Sequence, residues 1–477
     1  MSSLKTQTKV GLYWTFFNNF ANYGVQFVVS IILARLLSPE DYGITALPAI
    51  FIAVAGTLVN SGFGTALVRK PTINDKDLST AFYYSITVGI VLYSALFFSA
   101  EWIADFYNAP ILSSVLKFTA LGLLFGPISS VQSVQLTRKL DFKTPAKISV
   151  ACKITTGVIG MAMAYLGYGI WSLVIPGIFS GILDILLLYY FVRWLPIAGW
   201  SKESFKYLWN FGNKMLASNL LDTIFNNIYP LVIGKYYSTR DLGMYNRAYG
   251  YATLPSVNIT NVLQNVTFPV LSKVQDDKET LARNYRKIIC VTAYIVFPLM
   301  MLLSALARPL ILVMITDKWE SCIILLQIVC FSLMWYPVHA INLNLLMVKG
   351  RSDLFLRLEI YKKILGVIVM IVAIPRGLVF IVSAAVVTSV ICLILNTHYT
   401  GRFINAGFLT QMKDLFPALS LSLGMWCIIH VINFFIANLY CQIIFGTLAG
   451  AVFYLGLSYL LKRPELQEIK YLLSRKA

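Results

Sequence analysis

Apolar residues run along this chain in blocks of about twenty or more, and polar residues gather in the gaps between them. A helix rises ~1.5 Å per residue, so about twenty apolar residues cross a ~30 Å hydrocarbon core. The blocks predict fourteen transmembrane helices: 11–37, 42–68, 80–104, 111–136, 146–166, 168–192, 207–234, 242–270, 286–307, 320–347, 360–375, 378–400, 412–436 and 440–461. Alternating segments of about ten residues, which would mark an outer-membrane barrel, do not occur. The pattern predicts an all-α integral membrane protein.

Polar positions inside the blocks follow their own period. The first span contains NNFANYGVQFVVSIILARLL from Asn18, with Asn18, Asn22, Gln26 and Ser30 four residues apart. The seventh carries Lys214, Ser218, Asp222 and Asn226 at the same spacing. Four-residue spacing keeps side chains on one helix face. The two stripes align at an offset of 200 residues, and so do the loops that follow them, SPEDYG from Ser38 and STRDLG from Ser238. RKPTINDKDLSTAFYYS from Arg69 resembles SKVQDDKETLARNYRK from Ser272, and Pro127 is echoed by Pro337. Spans 1–6 and 7–12 therefore read as two copies of a six-helix unit. Six is even, so the copies share one topology. A parallel repeat of this kind is typical of secondary transporters, with substrate handled at the repeat interface. The expected architecture is two six-helix lobes around a central cavity plus two C-terminal helices. The expected parts are 1–200, 201–400 and 401–477.

Composition agrees with a membrane protein: 58% hydrophobic residues, a mean hydropathy of +0.72, and 13% charged residues, against about 25% in soluble proteins. A net charge of +18 could suggest nucleic acid, but the placement of the charges explains it better. Alternate gaps between spans hold 29 Lys and Arg on one side and 7 on the other. Cytoplasmic loops are enriched in these residues, so both termini are expected in the cytoplasm, with the first span uncleaved. Three cations fall inside spans: Lys153, Lys214 and Arg247.

Polar groups facing hydrocarbon are costly, so they face protein or water. The candidate cavity lining is Asn18, Asn22, Gln26, Asn60, Asn226, Asn261 and Asn265, amides suited to sugar hydroxyls. Lys153, Lys214 and Arg247 suit an anionic substrate such as a pyrophosphate. Asp184 and Asp222 are candidates to carry protons or Na⁺, or to pair with the lysines. Each residue also has a plainer reading. Buried amides can join helices by hydrogen bonds, and Lys153 or Arg247 can snorkel to the headgroups. Enzyme signatures do not occur: no phosphate-binding glycine loop, no metal-like His/Cys spacing among three histidines and seven cysteines. Neither a metal nor a cofactor is expected beyond a coupling ion, and no catalytic residue is assigned.

The opening WTFFNNFANYGVQFVVSIILARLLSPEDYGITALPAIF, then NSGFGTALVRK, resembles Wzx-type polysaccharide exporters of the multidrug/oligosaccharidyl-lipid/polysaccharide superfamily. The segments carrying the likeness are Ala34 to Gly43 and Gly62 to Val68, together with FKYLWNFGNKMLASNLL at the entry to span seven. The resemblance implies a V-shaped cavity between two lobes in the bacterial inner membrane. It implies a flippase that moves undecaprenyl-pyrophosphate-linked oligosaccharide units (O-antigen, capsule or exopolysaccharide) from the cytoplasmic to the periplasmic leaflet by alternating access. Polysaccharide polymerase and export machinery are the implied partners. Lipid II flippases of the superfamily carry arginines where this chain has Asn18, Asn22 and Gln26, which argues against lipid II. The rival readings are an ion-coupled multidrug exporter and a membrane polysaccharide ligase or polymerase.

Overall fold

Capping residues set where the helices begin. In the loop after the first span, Ser38 and Asp41 form a reciprocal box: the Ser38 amide donates to Asp41 Oδ2 at 3.0 Å and the Asp41 amide to Ser38 Oγ at 3.2 Å. Ser38 is followed by Pro39, whose fixed φ suits the first helical position. At the repeat-related position Ser238 and Asp241 form the same box, at 3.3 and 3.0 Å. Asn74 caps with Asp77 in the next loop. In the loop matched to it, Asp277 accepts from the Glu279 and Thr280 amides, both at 3.1 Å. The repeat seen in the residues is thus a repeat of helix starts.

The computed structural model describes residues 2–474, apart from the side chains of 2–13, 15–17, 19–20, 214, 262, 265–266 and 471–474. Among the described residues the chain is helix and connecting loop, without strands. Packing divides it into two units, one ending at Gly243 and one beginning at Met244.

In the first unit the helices are α1 (Ser2–Leu36), α2 (Pro39–Ala46), α3 (Pro48–Asn60), α4 (Phe63–Arg69), α5 (Asp75–Phe106), α6 (Ile111–Thr119), α7 (Gly122–Arg138), α8 (Lys143–Tyr165), α9 (Trp171–Val192), α10 (Lys202–Asn226) and α11 (Ile228–Tyr236). α1 packs on α8 and α8 on α9, while α5 packs on α6 and α7. α10 lies against α3, α4 and α5. α12 (Thr239–Ser272) follows and runs into the second unit. There the helices are α13 (Lys278–Ala305), α14 (Ala307–Ile315), α15 (Cys322–Leu333), α16 (Tyr336–Val348), α17 (Ser352–Ala373), α18 (Leu378–Ile404), α19 (Phe408–Phe435), α20 (Leu439–Leu460) and α21 (Pro464–Ser474). α13 forms the centre of this unit, packed on α19 and α15, with Tyr285, Ile289, Phe297 and Met300 fully buried.

Every predicted span falls mostly on helix, but the fourth is α6 with α7, the seventh α10 with α11 and the tenth α15 with α16. Ten stretches, among the described residues, are long and apolar enough to cross a membrane. The four predicted spans outside that set are the first, seventh, eighth and eleventh; in the first, Ala21–Leu36 is a shorter apolar helical stretch among the described residues. The second span is three helices rather than one, since α3 ends at Asn60 and α4 begins at Phe63. The eleventh begins at Ser352, eight residues before its predicted start at 360. Leu354 and Leu358, one turn apart, are buried with Leu346 and extend the helix past the apolar block. Arg357, Lys362 and Lys363 are therefore on a helix rather than in a loop. The connection predicted between 307 and 320 forms α14 and a 3₁₀ turn, Asp317–Trp319, with the Trp319 ring fully buried.

Candidate functional site

The break between α3 and α4 builds a polar pocket in the first unit. Ser61 (φ 44°) and Gly62 (φ 71°) are left-handed, which ends α3 and turns the chain before Phe63. A side chain at Gly62 would put its Cβ 3.1 Å from Met215 Cβ and 3.3 Å from Gly212 Cα. One at Gly212 would put its Cβ 2.4 Å from the Ser61 carbonyl oxygen. The backbones of α10 and the α3–α4 turn thus touch, and only glycines permit it. An aromatic cluster fastens this approach: Phe63 tilts onto Tyr84 with centroids 4.6 Å apart, and Phe205 stacks on Trp209 at 5.8 Å. Above the glycines, Thr57 Oγ1 and Thr223 Oγ1 are hydrogen-bonded at 3.0 Å, joining α3 to α10.

The space left between these contacts is a pocket of about 410 Å³. Thr57 and Asn60 line it from α3, Gly62, Gly64 and Thr65 from the turn and α4, and Met215, Asn219, Asp222, Thr223 and Asn226 from α10. Among these residues Asp222 alone carries a formal charge. Amides and hydroxyls both donate and accept hydrogen bonds, and a carboxylate accepts from two donors at once. That set matches a ligand rich in hydroxyl groups.

The pocket brings together three residues singled out from the sequence: Asn60, Asp222 and Asn226. It adds Thr57, Asn219 and Thr223, which lie off the four-residue stripe. The NSG triplet at Asn60–Gly62 was the one local sign that a span breaks here. On α1, Asn22 Nδ2 donates to Asn18 Oδ1 at 2.7 Å and to Ser149 Oγ of α8 at 2.9 Å. Asn22 thus links α1 to α8 within the unit, while Gln26 on the same helix is exposed. Lys153 on α8 is exposed, and Asp184 on α9 is half-buried; both act electrostatically on Cys152, which packs with Leu188 of α9. Arg247, in the second unit, sits over the rings of Tyr251 and Trp319 at 5.6 and 5.5 Å. Asn261 is exposed on α12. The side chains of Lys214 and Asn265 lie outside the described residues.

Residues 32–324 match the profile of a family described as polysaccharide biosynthesis protein. Lipopolysaccharide biosynthesis protein WzxC of Escherichia coli (strain K12) is 25% identical over 369 residues, covering 76% of this chain and 74% of its own. Teichuronic acid biosynthesis protein TuaB of Bacillus subtilis (strain 168) is 25% identical over 359 residues, 74% of each chain. Among solved structures, the inward closed conformation of lipid II flippase MurJ superposes with a TM-score of 0.77 at 18% identity, over 95% of this chain and 99% of that one. An inward-facing multidrug resistance MATE family transporter reaches 0.63 at 13% identity, over 82% and 99%. These two likenesses concern the fold.

Proposed function

We infer the function from one premise: the chain belongs to the polysaccharide biosynthesis protein family. It is a multi-pass membrane protein that flips a lipid-linked oligosaccharide from one leaflet to the other. The observation that carries this reading is the pocket of amides, hydroxyls and one carboxylate between α3, α4 and α10. Hydroxyl-rich sugar is the part of such a substrate that cannot cross hydrocarbon unaided. The pocket replaces the water it loses, while the prenyl chain stays in lipid. The chain is read as a transporter, with no catalytic role.

The finer reading has the following parts. The carrier is undecaprenyl pyrophosphate, with its charge met by Lys153, Lys214 and Arg247. Asn18, Asn22, Gln26, Asn60, Asn226, Asn261 and Asn265 line the route taken by the sugar. The repeat divides the chain at 1–200, 201–400 and 401–477, and alternating access moves the first two parts against each other. Both termini face the cytoplasm of a bacterium, across its inner membrane, because the gaps between the predicted spans on that side hold 29 of the basic residues. A proton or Na⁺ gradient drives the cycle, and a polysaccharide polymerase and export machinery receive the product.

The test is a deletion strain. Its lipid-linked oligosaccharides are extracted, quantified and probed for access from outside in right-side-out vesicles. Complete repeat units held on the inner leaflet, restored to the outer one by the intact protein and not by Asn219→Ala with Asp222→Asn, are expected. Repeat units that reach the outer leaflet without the protein overturn the reading and point to drug efflux or to a later assembly enzyme.

A further inference from the structure

The segment joining α9 to α10 turns apolar side chains outward. From Arg193 to Gly199 exposure alternates residue by residue, as in an extended chain. Trp194 and Pro196 are half-buried, while Leu195 and Ile197 are 53% and 89% exposed. Arg193 shares the exposed alternation with them. Trp200 follows, half-exposed, with its ring centroid 5.1 Å from that of Phe205.

Three hydrogen bonds hold this segment at one depth. Tyr83 Oη of α5 donates to the Pro196 carbonyl at 3.0 Å, and the Ser201 amide donates to Thr80 Oγ1 of the same helix at 3.0 Å. Gln132 Nε2 of α7 donates to the Trp194 carbonyl at 3.5 Å. The Trp194 ring also meets Phe82 edge-on, with centroids 6.2 Å apart. These anchors lie inside the apolar blocks of α5 and α7. The charged residues that bound those blocks are Asp77 and Arg138, so Thr80 is three residues further in, Tyr83 six and Gln132 six. By helix rise that is about 5–9 Å. α9 has 22 residues, about 33 Å of helix, and so it ends at the edge of a ~30 Å hydrocarbon core. Interfacial elements sit about 5–10 Å into the boundary between headgroups and acyl chains, which is the depth of these anchors.

Irregular backbone near hydrocarbon needs partners for its polar groups. Here the Trp194 and Pro196 carbonyls and the Ser201 amide have theirs, the Ile197 amide donates to the Leu195 carbonyl at 2.9 Å, and Pro196 has no N–H. The segment also follows directly on an apolar stripe of α9. Phe179, Ile182, Leu186 and Tyr190 are three and four residues apart and all exposed, which on a membrane span is the face that meets lipid. We propose that residues 193–200 are an interfacial anchor. Leu195, Ile197 and Trp200 enter the acyl boundary of the bilayer, and the Arg193 guanidinium meets the phosphates of the lipid headgroups. Tryptophan favours that boundary, and basic side chains favour anionic headgroups. The anchor sets the depth of Ser201, whose side chain accepts from the Ser204 amide at 3.3 Å and caps α10. α10 is the helix that lines the pocket. The proposal needs the chain to span a membrane and is independent of what the chain carries.

The test attaches one fluorophore through cysteine, at Ile197→Cys or at Glu203→Cys, the latter exposed in the first turn of α10. Cys290, Cys427 and Cys441, the cysteines that are not buried, are changed to Ala in both. The full chain is reconstituted in liposomes of phosphatidylethanolamine and phosphatidylglycerol. Quenching is read with iodide on both sides of the membrane, and with lipids carrying a nitroxide high on the acyl chain. At 197 iodide quenching is expected to be about fivefold weaker than at 203, and nitroxide quenching stronger, as for a side chain in the acyl boundary. Iodide quenching at 197 equal to that at 203 overturns the anchor. A fluorophore at 197 that is shielded from iodide in native membrane vesicles but not in liposomes overturns it too, and marks a protein covering the segment. If Ile197→Cys does not fold, Leu195→Cys on the same face decides by the same comparison.

Discussion

Gly43 and Gly243 end the two loop motifs that define the repeat, and each faces the other copy's backbone. A methyl group on Gly43 would sit 1.7 Å from the Thr239 carbonyl oxygen, and one on Gly243 would sit 1.9 Å from that of Pro39. Since Cβ contacts under 3.0 Å essentially never occur, Gly43→Ala forces a separation of at least 3.0 − 1.7 = 1.3 Å. The obstacle is backbone, so no rotamer change relieves it. Overpacking costs about 1–3 kcal/mol, and an immovable neighbour puts this case near 3. Alanine for glycine inside a helix returns about 1 kcal/mol. The net loss is about 2 kcal/mol, or about 4–8 °C of melting temperature for a unit of this size. Gly56→Ala on α3 is the control, because nothing lies within 4 Å of its added Cβ. It should melt at or slightly above the wild type. The assay is thermal melting of the full chain in detergent at one fixed heating rate. A Gly43→Ala protein that melts with the control refutes the backbone-on-backbone contact.

Two further perturbations test the loops. Arg138 donates to the carbonyls of Leu67 at 2.8 Å, Val68 at 3.2 Å, Lys70, and Pro71 at 2.9 Å, closing the C-terminal end of α4. Arg138→Met should cost about 2–3 kcal/mol and open the 70–74 loop to proteolysis, and Arg138→Lys should not restore it, because one ammonium cannot span four carbonyls; rescue by lysine would refute the clamp. Asp277, at the start of α13, accepts from the Thr280 side chain and the Thr280 and Glu279 amides, which hold its carboxyl below the ordinary carboxylate range. Its contribution is fully present above the unfolded value of ~3.9 and fades as pH falls through the lower folded one. Asp277→Asn should therefore flatten the stability–pH curve below about pH 4, and an unchanged acid limb in a melting series would count against the cap.

What the sequence determined by itself is what depends on near neighbours. Span lengths, the 29-to-7 distribution of basic residues and the paired SPEDYG and STRDLG loops are patterns of a few residues each. Hydrophobic period and capping act within a turn or two, so a linear reading recovers them. The repeat followed from the same patterns occurring twice. Where the linear reading fell short, the cause was packing at a distance. The second span looks continuous because its apolar block is continuous, yet Ser61 and Gly62 break it against Gly212 of α10. The eleventh begins early because Leu354 and Leu358 find Leu346 on another helix. Asn18 and Asn22 share a stripe with the right period, but the bond from Asn22 to Ser149, 127 positions away, is set by packing. The pocket joins Asn60 to Asp222 across more than half of the first unit. A period shows which side chains share a face of a helix. Only the packed helices decide what that face meets, because the partner's identity is set by contacts between residues the chain keeps far apart.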